Sequence, residues 1–302
     1  MGNGEKDGKN INLTDLFRGR CFDCDVCNGV ACAGILPGMG GLGSGDTFVN
    51  NFRSWEDISV DSGDIEKIPL IGVAPMTGVS ENLGGAISER SFQKALAAAS
   101  DHPGFFYCGG DGHPDFKLYY SIEAGEKKPG SFFFIKPYSN DEILRRAALI
   151  SGAQGVGVDI DSYNLVNLIG KARLYRKTAD DLLYIAENLC DKRFVVKGIC
   201  SDDQIEIIKK VRPYAVVISN HGGRVFEHGE GTAFILKRLS HKIRPYVDEI
   251  WVDGGIRNIK HIKKAGVLGA DRVLIGRPFA RAAVRNKGKG VSDYIEKSLS
   301  CI

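Results

Sequence analysis

The feature that most constrains this chain is an alternation that starts near residue 68 and runs to about residue 285. Apolar, β-rich runs occupy 70–74, 105–107, 132–135, 156–158, 194–196, 215–218, 250–252 and 272–275. Between them lie stretches with helical spacing at 84–100, 141–151, 179–190, 202–211, 232–243, 259–265 and 279–285, and a weaker one at 115–124. Strands that alternate with helices pair in parallel, and strands that are apolar throughout are covered on both faces. Eight such units predict an α/β fold, a closed (β/α)₈ TIM barrel, with an open doubly wound sheet as the rival arrangement. The 302 residues accommodate one such barrel as a single unit.

Residues 1–60 read as a short Cys/Gly-rich N-terminal extension and residues 61–302 as the barrel. Four of the eight cysteines, Cys21, Cys24, Cys27 and Cys32, fall within twelve residues. Four thiolates at that spacing suit a [4Fe–4S] cluster or a zinc ion, and free redox-active thiols are the third reading. Cys190, Cys200 and Cys301 are scattered and read as small buried hydrophobes. The glycine-rich run 34–45 could cradle a phosphate with backbone amides, but no strand leads into it and the P-loop lysine is missing. Close packing of a loop is the favoured reading.

Composition narrows the function classes. A formal net charge of +3 is too small to argue for nucleic acid or an anionic membrane surface. No run of 18 apolar residues exists, and the first residues are polar without an apolar signal core, so the expected address is cytoplasmic.

In a barrel, function gathers at the C-terminal ends of the strands. Here those ends carry Pro75-Met76-Thr77, Cys108-Gly109-Gly110, Lys136-Pro137-Tyr138, Asp159, Lys197, Ser219-Asn220-His221, Asp253-Gly254-Gly255 and Gly276-Arg277. Lys136, Lys197, His221, Arg224, Arg257 and Arg277 on one rim point to an anionic ligand. The ends of the last two strands are where barrels often build a phosphate site. A histidine with an ordinary pKa near ~6.5 suits proton transfer at neutral pH. An arginine three residues later suits a carboxylate or phosphate. The bland alternative is a glycine turn that His221 merely caps.

Ser219-Asn220-His221-Gly222-Gly223-Arg224, Asp253-Gly254-Gly255-Ile256-Arg257 and Ile275-Gly276-Arg277-Pro278-Phe279, in that order, resemble the FMN-dependent α-hydroxy acid dehydrogenases and oxidases, the group of glycolate oxidase and flavin-linked lactate dehydrogenase. Val196-Lys197-Gly198-Ile199 and Ala74-Pro75 fit the same family, and the likeness covers roughly residues 68–285. It implies FMN as cofactor and oxidation of a small 2-hydroxy acid to the 2-oxo acid, with flavin N5 accepting the electrons. It further implies His221 as the base, Asp159 paired with His221, Arg224 on the substrate carboxylate and Tyr138 hydrogen-bonded to the substrate. As a packed rim aromatic, Tyr138 would do none of this, and Asp159 would otherwise be a solvated strand-end carboxylate. The resemblance places Lys197 at the flavin N1–O2 edge, Arg257, Gly276 and Arg277 at the phosphate, and Asp253, Gly254 and Gly255 in the adjoining turn. Pro75, Met76 and Thr77 would pass the flavin's central ring, with Cys108, Lys136 and Ser219 also near the cofactor. A homotetramer is what the resemblance implies for assembly, and the electron acceptor stays open.

Several residues depart from the family pattern. Lys136-Pro137-Tyr138 stands where Gln-Leu-Tyr is usual, Gly157 where threonine is usual, and Cys108-Gly109-Gly110 where serines are usual. The family's second carboxylate-binding arginine has no clear match, with Arg173 a distant candidate. The Cys-rich segment replaces a tyrosine-bearing one. Two other readings follow. One is a non-redox flavoenzyme similar to type 2 isopentenyl diphosphate isomerase, which shares the Met76-Thr77-Gly78 turn but lacks Ser-Asn-His-Gly-Gly-Arg. The other is a flavin/iron–sulfur electron carrier.

Overall fold

The computed structural model describes residues 46–60, 68–79, 87–165, 168–225 and 229–299. The cysteine cluster and the glycine-rich run lie outside the described residues. Eight parallel strands close into a barrel in simple sequence order: β1 (Leu70–Val73), β2 (Phe105–Gly110), β3 (Phe132–Ile135), β4 (Gly155–Asp159), β5 (Arg193–Ile199), β6 (Ala215–Ile218), β7 (Glu249–Asp253) and β8 (Arg272–Ile275). Closure is direct, because β1 pairs with β8 from Leu70↔Arg272 to Val73↔Ile275. The fold is the expected (β/α)₈ barrel rather than an open sheet. A helix, α1 (Asp46–Asp57), precedes β1. The helices that follow the strands are α2 (Glu89–Ala97), α3 (Phe116–Gly125), α4 (Asn140–Ala148), α5 (Ala179–Asn188), α6 (Ile205–Val211), α7 (Thr232–Ile243), α8 (Ile259–Val267) and α9 (Arg277–Ser298). Among the described residues, no helix is long and apolar enough to cross a membrane.

Local chemistry fixes the helix starts. Ser88, Ser139 and Thr178 each accept a backbone N–H in the first turn of α2, α4 and α5, and Thr178 forms a reciprocal capping box with Asp181. The weak spacing at 115–124 does form a helix, α3, whose start has no side-chain cap. The last helix runs far past its expected end at 285, with a kink where Asn286 and Lys287 leave helical geometry.

The barrel interior is packed by aromatics against glycines. Phe106, Phe132, Phe134, Val217, Trp251 and Leu274 form its inner cluster. A Cβ on Gly157 would lie 2.5 Å from the Phe134 ring, and one on Gly155 2.5 Å from Phe132. The absence of threonine at position 157 therefore has a steric cause: the ring of Phe134 fills that volume. At the N-terminal end, the Arg272 guanidinium sits 4.9 Å from the Phe106 and Trp251 ring centres and pairs with Glu249 at 2.6 Å. That arrangement plugs the bottom of the barrel and leaves only the opposite end open to chemistry.

The helix α1 is docked over the C-terminal rim. Asn51 and Asn220 exchange side-chain hydrogen bonds at 2.8 Å in both directions, and the Trp55 indole N–H donates to Gly254 O at 2.7 Å. Both Phe48 and Trp55 are fully buried. This helix, inside the stretch expected as extension, thus braces the turns after β6 and β7.

Replacing Gly157 by Thr should overpack the core and lower stability by about 1–3 kcal/mol in chemical denaturation. Combining it with Phe134→Leu should recover part of that loss.

Candidate active site

The C-terminal ends of the strands surround one cleft of about 1200 Å³, partly continuous with solvent. Its wall on the β1 side is formed by Pro75, Met76 and Thr77. The backbone there is pinned from α2: Glu89 accepts the N–H groups of Gly78 and Val79 at 3.0 and 2.9 Å, and Gln93 donates to Met76 O at 2.8 Å. Neither supporting residue was legible in the sequence, because both sit in the helix rather than at a strand end.

A row of charges lies across the barrel mouth. In β4 and β5 the register places Asp159 beside Lys197, and Lys136 follows the last residue of β3. The Lys136 ammonium lies 2.5 Å from Asp159 Oδ2, and the Lys197 ammonium 2.7 Å from Asp159 Oδ1. Burial opposes the charge on Asp159, but the two lysines and His221 outweigh it and hold its pKa well below the ordinary carboxylate value. Burial likewise opposes the Lys197 charge, yet Asp159, Asp253 and Asp161 together raise its pKa. Asp253, 3.6 Å from Lys197, is pushed up by burial, which Lys197 only partly offsets. Both lysines and Asp253 line the cleft.

The turn after β6 holds the histidine in an unusual backbone conformation. His221, Gly222 and Gly223 follow one another at φ +57°, +67° and +84°. The Ser219 hydroxyl accepts the His221 backbone N–H at 3.1 Å, and Asn220 accepts the Gly223 N–H. A left-handed non-glycine residue is sustained only where its surroundings over-determine it, as here. The result points the imidazole into the cleft. Its Nδ1 lies 3.1 Å from Asp161 Oδ1 and 3.6 Å from Asp159 Oδ1. The closest carboxylate is thus Asp161, not the expected Asp159, whose oxygens are engaged by the lysines. Burial lowers the His221 pKa below its ordinary value, and the two aspartates counter it only in part.

On the far side, the cleft is lined by Arg224, Gly254, Gly255, Arg257, Gly276 and Arg277. Arg277 donates to Gly222 O at 2.7 Å and stacks 3.4 Å over the Phe48 ring, so α1 helps to aim it. Burial pushes Arg257 down to about 10 and also lowers Arg224. Among the described residues no carboxylate pairs with Arg224. Basic groups that lose hydration beside the N-terminus of a long helix, with Gly276 at its cap, form a suitable seat for a phosphate. With Ala74, Met76 and Leu274 as apolar wall, the donor set fits a flavin mononucleotide: a flat apolar ring system, a polar edge facing lysines, and a phosphate facing arginines.

Several expected residues do not line the cleft, the buried Asp159 and Ser219 among them. Tyr138 packs in the layer between barrel and helices, with the Arg146 guanidinium 4.3 Å from its ring centre and its hydroxyl buried without a hydrogen bond. The reason is the tight turn over Pro137, where the Tyr138 N–H donates back to Lys136 O at 2.7 Å, and the ion pair that fixes Arg146 to Asp111 at 2.8 Å. Packed-aromatic is therefore the reading the geometry favours. Cys108 lies within the barrel interior, and burial raises its thiol pKa. Arg173 is exposed and lies near the Tyr175 ring, away from the main cleft. Leu165 and Leu168, from the segment after β4, also line the cleft and carried no sequence signal.

The fold and this site define a flavin-type barrel, and comparison with known proteins specifies the family. The family described as FMN-dependent dehydrogenase matches residues 148–299, half of the sequence, and the chain belongs to it. It is 29% identical over 136 residues to mouse 2-hydroxyacid oxidase 1, a match covering 45% of this chain and 36% of that protein. It is 33% identical over 116 residues to an Acinetobacter baumannii L-lactate dehydrogenase, covering 38% and 30%. The match thus spans about a third of those relatives' lengths. Among solved structures, a mandelate oxidase with 2-hydroxy-phenylacetamide superposes with a TM-score of 0.68 at 21% identity, covering 94% of this chain and 90% of that one. The flavin-binding domain of baker's yeast flavocytochrome b2 does so with a TM-score of 0.67 at 20% identity, covering 85% and 74%.

Changing Asp159 to Asn should leave two buried ammonium groups short of a partner and cost about 3–5 kcal/mol in denaturant unfolding. The charge-balanced pair Lys136→Gln/Asp159→Asn should cost clearly less, which a double-mutant cycle would read directly.

Proposed function

We propose that this protein oxidises a small 2-hydroxy acid to the corresponding 2-oxo acid with FMN as its redox cofactor. The observation that carries the proposal is a burial-depressed histidine and a buried arginine with no carboxylate partner among the described residues, three residues apart, facing one cleft that also holds two lysines and the phosphate-type rim. FMN, when bound, supplies the two-electron acceptor at its N5.

The roles of the chain's own residues follow from their placement. A 2-hydroxy acid must lose two protons and two electrons to become a 2-oxo acid, and His221, neutral at physiological pH, takes a proton. Arg224 binds the substrate carboxylate, because an incoming anion restores the charge compensation that burial denies it. Lys197 and Lys136 place positive charge at the polar edge of the cofactor, where negative charge develops. Arg257, Arg277 and the first turn of α9 hold the phosphate. Leu165 and Leu168 border the substrate side and restrict the side chain accepted.

The Ser219–Arg224 stretch separates this reading from a non-redox flavoenzyme, since isomerisation gives no use for a base and a carboxylate clamp spaced in this way. Anaerobic addition of lactate, glycolate and mandelate to the FMN-loaded protein should bleach the flavin band with at least one of them. A band that none of them bleaches would remove the activity while leaving the cofactor. His221→Gln should slow that reduction by about 10²- to 10⁴-fold with FMN retained.

The pH dependence has a definite sign. His221 works as a base only when neutral, and its pKa lies below the ordinary ~6.5. The competent fraction therefore rises with pH through that lowered value and is the larger one at neutrality. The second-order rate of flavin reduction should show an acid limb with its midpoint below about 6.5 and a plateau above it.

A further inference from the structure

The sequence resemblance gives His221 a carboxylate partner in Asp159, but the geometry divides that work differently. Both oxygens of Asp159 are occupied, one by Lys136 at 2.5 Å and one by Lys197 at 2.7 Å. Asp161, two residues on, is fully within the wall and makes its hydrogen bond to His221 Nδ1 at 3.1 Å through Oδ1, while its Oδ2 is buried with no hydrogen bond. Two local features seat Asp161 there. After β4 the chain enters a 3₁₀ turn, Ile160–Asn164, in which the Ser162 hydroxyl donates to Asp159 O at 2.7 Å. That turn brings the Asp161 side chain against β5 at Gly198. Gly198 has φ +107°, and a Cβ there would lie 2.8 Å from both Cβ and Cγ of Asp161. The β5–β6 register is shifted between Lys197 and Ile199, so the strand bulges at the point where Asp161 needs room.

We propose that Asp161, and not Asp159, is the positioning carboxylate of His221. It accepts the Nδ1–H hydrogen bond, which fixes the imidazole tautomer and leaves Nε2 as the basic nitrogen in the cleft. The proposal rests on the base role given to His221 above. Asp159 is then an electrostatic counterweight to two lysines rather than the histidine's partner. The Asp159 oxygen nearer the imidazole, Oδ1 at 3.6 Å, is the one that Lys197 holds, and Lys136 takes the other. The groups that face His221 are Asp159 from β4, Asp161 from the following turn, Lys136 after β3, Lys197 from β5 and Asp253 from β7. Both carboxylates favour the imidazolium and both lysines disfavour it, but only Asp161 is in hydrogen-bond contact with Nδ1 and can fix the orientation of the ring.

The test is ¹⁵N-histidine NMR on the FMN-loaded protein, in which the chain's six histidines are resolved and His221 is assigned by its loss in His221→Gln. In the wild type, neutral His221 should be the Nδ1–H tautomer. Asp161→Asn, which preserves shape, should lower the His221 pKa by about one unit or more as the imidazolium loses its charged partner. Lys136→Gln/Asp159→Asn removes one charge of each sign and should keep the Nδ1–H tautomer, because the Asp161 hydrogen bond is untouched. An unmoved pKa in Asp161→Asn, or loss of the Nδ1–H tautomer in the double variant, would overturn the proposal. Asp161→Ala should show the same fall and serves if the amide disturbs packing against Gly198. Turnover should follow, with kcat down about 10²- to 10⁴-fold in Asp161→Asn and KM little changed. The NMR readout needs no substrate. If no hydroxy acid reduces the flavin, the activity fails while the His221–Asp161 assignment is judged separately.

Discussion

Everything in this molecule depends on the closure of β1 onto β8. Once the sheet is a closed parallel barrel, every strand residue faces either the interior or the surrounding helices, and the alternation is fixed around the whole circumference. Phe132, Phe134 and then Lys136 face inward on and just after β3, and Val195 and Lys197 do so on β5, next to Asp159 at the end of β4. The same parity sends Phe133, Ile135, Val156 and Val158 to the helix layer. Charges are confined to the two ends of the interior because the middle is filled by aromatic rings packed over glycines. At the bottom Arg272 and Glu249 close the barrel, and at the top Lys136, Asp159 and Lys197 open it to chemistry.

Placing three charges at a buried mouth is costly, and the arrangement shows how the cost is met. A carboxylate with a lysine on each side keeps its own charge and stabilises both of theirs, and it acts on the histidine through its charge, from 3.6 Å, rather than through a hydrogen bond. The imidazole is held in a left-handed turn, and burial lowers its pKa. The arginines of the opposite rim carry charge without full hydration, a condition that an anionic ligand relieves. Electrostatic strain of this kind is what pre-organises a site: the groups are already oriented where new charge will appear, and little rearrangement is needed when it does.

The site is also supported from outside the barrel repeat. The helix α1 joins the β6 and β7 turns through the Asn51–Asn220 amide pair and Trp55, and Phe48 lies under Arg277. From the other side, Glu89 and Gln93 hold the backbone after β1. The cleft walls are therefore held by helices at two places on the rim, with the barrel as a common frame.

By itself the sequence determined the class of fold, the strand order and the rim that carries the chemistry. Periodicity depends on neighbours a few residues away, and the glycine and basic residues that end each strand are contiguous with it. The expected strands at 132–135, 215–218 and 272–275 match the observed ones for that reason. His221, Arg224, Lys197, Arg257 and Arg277 were legible in the same way, as strand-end residues whose direction follows from the repeat. Only the tertiary structure decided which of them touch. The engagement of Asp159 by Lys136 and Lys197 joins three strands, and the approach of Asp161 to His221 needs a bulge at Gly198 that no local pattern encodes. Tyr138 left the cleft because Pro137 tightened the turn and Arg146 offered a stacking partner from a helix. Long-range packing made those choices, since the contacts concerned bridge about 40 to 60 residues of chain, as in Lys197–Asp159 and His221–Asp161.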